Sequence, residues 1–250
     1  MPDLMPQLPL SEPAPQGPDY DLRLFGELAA CFDVRLTETE IVDYGITLAT
    51  MGVLDDILDE PIDGTVARAN HQAHLNAIAN NTPEALTHNP HNILGTYAVR
   101  FAEWSPDRQY HHMHHFSAIG DIALQKRETD NVQELFALLK EEGRRYASVF
   151  MPDQKGRDTH AFDTFLDSGG ICAVLADTAW DLKGDYQQGL VQVKPTTANR
   201  AYFLGRMVPF ARHVLESATP QQSKQLGQLL RGAVLGASSR VSVSKVGSTG

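Results

Sequence analysis

The sequence is short of cysteine, of basic side chains and of long apolar runs, and each shortage narrows what the chain can be. Only two cysteines occur, Cys31 and Cys172, each inside an apolar stretch. That excludes a disulfide framework and reads as reduced core thiols of a cytoplasmic protein. Lysine and arginine number 21 against 31 acids, a formal net charge of −10. A chain this acidic is a poor general nucleic-acid binder. No apolar run reaches about 18 residues, so no membrane-spanning helix and no stable membrane insertion is expected. The N-terminus lacks a basic stretch followed by an apolar one and does not read as a secretion signal. Alternating strand patterns are nearly absent, and no repeat of fixed period occurs.

What is present is helical periodicity. Residues 1–19 are rich in proline and are expected to form a disordered leader, and residues 237–250, ASSRVSVSKVGSTG, a flexible tail. Residues 20–236 read as one helical domain. Asp21 to Phe32 is a short amphipathic helix, with Leu24, Phe25, Leu28 and Phe32 on one side. Thr37-Glu38-Thr39-Glu40 is a capping box that opens the next helix. That helix carries Ile41, Tyr44, Leu48, Met51, Leu54 and Leu58, is apolar nearly all round, and should end near Pro61. Further helices are predicted over residues 66–80, 92–104, 107–126, 131–150, 161–187, 198–217 and 220–236. Pro83 and Pro90 punctuate a connection, and 151–158 reads as a loop. The glycine pair Gly169-Gly170 inside one long helix permits close packing or a kink. An all-α bundle follows.

Two acid clusters stand on these helices. In Asp55-Asp56-Ile57-Leu58-Asp59-Glu60, Asp55 and Asp59 are one turn apart on one face, with Asp56 beside them. Like charges at this spacing cost about 0.2–0.5 kcal/mol per pair even when exposed. They also lie near a helix C-terminus, where the macrodipole disfavours acids. A fold gains nothing from such a group, and a cation relieves it. Magnesium takes one or two carboxylates and keeps its remaining sites for water and phosphate. In the second cluster, Asp177, Asp181 and Asp185 fall at i, i+4 and i+8, continuing the apolar stretch Ile171 to Ala176. A single acidic string of this kind is commonly a solvated helix end. Two such ladders on two helices that both look central point to a metal–diphosphate site.

At these residues the chain resembles the class I isoprenoid synthases, the superfamily of trans-prenyltransferases and terpene cyclases. LDDILDE, Leu54 to Glu60, is similar to the first aspartate-rich motif of that superfamily. DTAWDLKGD, Asp177 to Asp185, is similar to the second motif of polyprenyl diphosphate synthases, with Thr178 in place of its second Asp. Its spacing also equals that of the second metal motif of terpene cyclases. The resemblance covers roughly residues 37–189. It implies a single-domain bundle around a central active-site cavity, three magnesium ions, and a prenyl diphosphate substrate. Asp55, Asp59 and Asp56 would bind two of the ions, and Asp177, Asp181 and Asp185 the third. Asp55, Asp59, Asp177 and Asp181 would thus be catalytic. Arg144, Arg145 and Lys183 are the candidates to complete a diphosphate clamp, Arg145 because Arg145 to Phe150 loosely resembles a basic segment of prenyltransferases. Helix-end capping is the competing role for Arg144 and Arg145. Synthases of this type often pair, so a homodimer is an expectation.

The departures favour one substrate over two. After the first motif the chain reads Pro61-Ile62-Asp63-Gly64-Thr65-Val66-Ala67-Arg68, with one arginine where elongating enzymes carry a basic cluster. The resemblance therefore points to a cyclase or lyase, with prenyl transfer to a second substrate as the alternative. Tyr44, Phe101, Trp104, Phe165 and Trp180 are candidate cavity aromatics, though such residues are more often core. Two other readings stay open. The histidines of Tyr110-His111-His112-Met113-His114-His115-Phe116, with His71 and His74, suit a non-haem di-iron bundle, although no Glu-x-x-His pair occurs. A helical adaptor that presents its acids to a basic partner would need no cavity at all.

Overall fold

The computed structural model describes residues 26–82, 93–151 and 158–224. The expected leader and tail, the Pro83–Pro90 connection, most of the 151–158 loop and the end of the last helix lie outside them. Every regular element among the described residues is a helix, and none is long and apolar enough to cross a membrane. The order is α1 (described over 26–31), α2 (Glu38–Leu58), α3 (Gly64–Ala79), α4 (Ile93–Ala102), α5 (Pro106–Lys126), α6 (Val132–Val149), α7 (His160–Gln188), α8 (Thr197–Glu216) and α9 (described over 220–224).

Local chemistry sets most helix ends. Thr37 caps α2, its hydroxyl accepting from the Glu40 N–H at 3.2 Å while Glu40 accepts from the Thr37 N–H at 2.8 Å. The side chains of Asp63, Ser105, Asn131 and Thr196 accept from first-turn N–H groups of α3, α5, α6 and α8. Pro106 fills the first turn of α5, where no N–H is needed. Gly189 ends α7 at φ 77°, a left-handed conformation that a Cβ would strain.

Three apolar clusters hold the helices together. The first joins Leu54 and Leu58 of α2 to Leu75, Ile78, Tyr97, Phe101, Phe116 and Ala123. The second joins Leu135 and Leu139 of α6 to Ile171, Leu175 and Leu182 of α7 and Phe203 of α8. A third lies between α1 and the start of α7, around Phe32, Phe162 and Phe165.

Helix α2 is less apolar than its pattern suggests: Asp43, Thr47 and Thr50 are buried, while Val42 and Leu48 are exposed. Asp43 accepts from Arg100 Nε at 3.1 Å, Trp104 Nε1 at 3.1 Å and Arg108 at 3.0 Å, which ties α2 to α4 and α5. Helices α6 and α7 cross at glycine. A Cβ on Gly143 would lie 2.6 Å from the Ile171 Cα, and one on Gly170 2.5 Å from the Gly143 carbonyl oxygen. Gly169 has open space beside it. This crossing places the middle of α6 against the turn of α7 that precedes Asp177.

Candidate active site

Both acid ladders reach one cavity of about 420 Å³ between α2, α5, α6 and α7. Asp55 and Asp59 enter from α2, and Asp177 and Asp185 from α7. Lys126 and Arg127 enter from the end of α5, and Glu142 and Tyr146 from α6. The rest of the lining is mainly aliphatic. On α2, Leu48, Met51 and Gly52 precede Asp55, and on α7 Ala173 and Val174 precede Asp177. At about 1.5 Å per residue, Leu48 stands ~10 Å along the helix from Asp55. Along both helices the cavity passes from an aliphatic wall to an acidic one.

The acids sense one another across the cavity. Burial raises the Asp59 pKa to about 7, and Asp55, Asp185 and Glu142 push the same way while Lys126 opposes them. Asp59 and Asp177 are themselves exposed to solvent, so the burial that raises them is partial. Asp185 is raised to about 6 by burial, with Asp177, Asp181 and Glu142 adding to it and Lys126 opposing. Asp177 is raised by burial, by Asp181 and by Asp55. Like charges add to burial at each of these acids and Lys126 offsets them in part, a condition that a divalent cation relieves further.

Neighbouring groups fix the geometry. The Tyr146 hydroxyl donates to Asp55 Oδ1 at 2.7 Å. Lys126 Nζ lies 2.7 Å from Glu142 Oε1, with side-chain exposures of 18% and 4%. Burial works against the Lys126 ammonium, but Glu142, Asp55 and Asp59 prevail and its pKa is raised. Arg127 donates to the carbonyls of Leu58, Glu60 (3.0 Å) and Ile62 (2.7 Å) and so caps the end of α2. That cation offsets the helix dipole where Asp55 and Asp59 sit.

The remaining residues named from the sequence fall elsewhere. Asp56 and Asp181 are exposed on the same two helices and do not line the cavity. Arg144 is exposed and pairs with Asp167 at 3.5 Å. Arg145 pairs with Glu141 at 2.6 Å and bonds His114. Lys183 is exposed, and none of these three cations lines the cavity. Tyr44, Phe101, Trp104 and Phe165 are buried in the core, and Trp180 is 83% exposed. Among the described residues Tyr146 is the one aromatic in the lining.

Lys126, Arg127, Glu142 and Tyr146 are the site residues that sequence reasoning missed. Glu142 had a signal. It interrupts the stripe Leu135, Leu139, Tyr146 and Val149 at helical spacing, and an acid on an apolar face marks a buried charge. Among the histidines, His111 bonds the Ser148 carbonyl at 2.8 Å and His112 the Tyr97 hydroxyl at 2.8 Å, while His114 and His115 both lie against Arg145. Burial first, then nearby cations, lowers His71 and His115 to about 4 and His112 to about 3.

Among the described residues no three His, Cys, Asp or Glu side chains form a ready-made chelate. The donor set still fits magnesium, which takes its first ligands singly or in pairs and completes its shell with water and phosphate oxygen. The chain matches no family model, no curated protein and no solved structure.

Proposed function

We propose that the protein is a class I terpene synthase: with magnesium it ionises one prenyl diphosphate, releases diphosphate, and acts as a carbon–oxygen lyase. One observation carries this reading. Two acid ladders from separate helices line a single cavity whose other wall is aliphatic. A solvated helix end needs no second ladder opposite, and an adaptor surface needs no cavity.

Asp55, Asp59, Asp177 and Asp185 would hold magnesium, with Asp56 and Asp181 beside them on the solvent side. Magnesium held there would supply Lewis-acid and electrostatic stabilisation of the charge that develops on the diphosphate as the C–O bond breaks. Tyr146 fixes the orientation of Asp55 through its hydroxyl. Leu48, Met51, Ala173 and Val174 offer the prenyl chain an aliphatic wall. The near-absence of aromatic faces favours a cation that is quenched early, by proton loss or by transfer to a second substrate, over a long cyclisation cascade. Prenyl transfer therefore stays as the second reading.

The test is incubation with ten-, fifteen-, twenty- and twenty-five-carbon prenyl diphosphates and magnesium, following diphosphate release and organic products. Release is expected with at least one substrate, and Asp55→Ala and Asp177→Ala should each lower it by about 100-fold or more. Products formed without a co-substrate identify a lyase. The absence of release from every substrate, with or without a co-substrate, rejects the proposal.

A further inference from the structure

We infer that Lys126, held by Glu142, is the diphosphate-binding cation of this cavity, so that the protein supplies part of the positive charge a diphosphate needs among these acids. The inference rests on the proposed function and names the group that reads its substrate's head.

The cavity by itself repels a diphosphate. Asp55, Asp59, Asp177, Asp185 and Glu142 line it, against two cations, Lys126 and Arg127. Arg127 is turned to the carbonyls that end α2. The Lys126 ammonium remains. It is 18% exposed and lies 2.7 Å from Glu142. It is in electrostatic reach of Asp55 and Asp59 on one helix and of Asp177 and Asp185 on the other. Among the described residues no other positively charged side chain of the lining has that reach. An ammonium has three donors. Glu142 engages one, and the others are free for phosphoryl oxygens.

The pair is also held from both sides. Glu142 precedes Gly143, whose backbone lies against α7 at the crossing. Lys126 precedes Arg127, which is anchored on α2. A purely structural explanation is weak, because an ion pair out of water seldom stabilises a fold more than two packed apolar side chains would. A cation held at a fixed point facing both ladders is what a polyanion with metal ions on either side requires.

The experiment is calorimetric titration of the full chain with inorganic diphosphate at saturating magnesium. It compares wild type with Lys126→Met, Lys126→Arg and the double variant Lys126→Met/Glu142→Gln. The double variant removes both charges together, so no lone carboxylate burdens the fold, and circular dichroism checks that it is folded. Lys126→Met and the double variant should bind diphosphate at least about tenfold more weakly, a loss of ~1.4 kcal/mol. Lys126→Arg should fall between them and wild type. A folded double variant with wild-type affinity for diphosphate overturns the inference and leaves Lys126 as a clamp between α5 and α6. Wild type that binds no diphosphate overturns both this inference and the proposed function.

Discussion

At Asp59 the chain keeps an acid where burial, a helix C-terminus and three nearby carboxylates all disfavour its charge. Its folded pKa of about 7 lies well above the unfolded value of about 3.9. Between those values the folded state holds the extra proton. Stability from this group is therefore complete below about pH 4 and is lost as pH rises through about 7. Asp185, raised to about 6, acts in the same sense over a narrower window. His71, His112 and His115 act in the opposite sense, because their lowered pKa values cost stability as pH falls below about 6.5. The wild-type profile is the sum of these, and one substitution separates them. Asp59→Asn should match wild type near about pH 4 and become progressively more stable than wild type up to about pH 8. Urea midpoints measured across that range provide the check. A difference that does not change with pH would mean that Asp59 is an ordinary solvated acid.

Among the elements, α6 and α7 carry the geometry of the site, and their crossing depends on two glycines. Gly143→Ala drives a methyl into the α7 backbone and should cost about 1–3 kcal/mol by overpacking. Gly169→Ala meets open space and should stabilise by about 0.5–1 kcal/mol through helix propensity. Denaturant midpoints of the two variants should thus move in opposite directions. Equal shifts would place the contact elsewhere. The sequence showed that Gly169-Gly170 had a packing or kinking use, but not that Gly170 alone makes the contact or that Gly143 is its partner. Periodicity tells which face of a helix is buried, not which helix that face meets. The start of α2 was legible because its cap is local, Thr37 acting within three residues of itself; the caps Asp63, Ser105, Asn131 and Thr196 are equally local, but those helices were read from periodicity alone. The acids of α2 and α7 were legible for a related reason. A ladder at i and i+4 is written along one helix, whereas Lys126 is a lone lysine at a helix end and gains meaning from Glu142, sixteen residues away on the next helix.

On the scale of the molecule, the cavity lies where two apolar cores meet. Leu58 and Ala123 of its lining belong to the core built on α2, α3, α4 and α5, and Leu139 and Val191 to the core built on α6, α7 and α8. Each core carries one acid ladder to the boundary. Repulsion between the ladders therefore acts across that boundary, and a cation bound between them should hold the two cores together as well as neutralise the acids. If magnesium binds there, it stabilises the folded chain by mass action, about 2.7 kcal/mol at 100 times its Kd. For a chain of this length that is ~5–10 °C in melting temperature. The effect should depend on pH in a set direction. Asp59 and Asp185 must lose their protons to bind metal, so the shift should be large at about pH 8 and small at about pH 5.5. Thermal melts with and without magnesium at both pH values measure this, with Asp55→Ala/Asp177→Ala as the control expected to lose the shift. A shift of equal size at both pH values, or one that survives in the control, would place the magnesium away from the two ladders. Their convergence would then have to be explained without a metal.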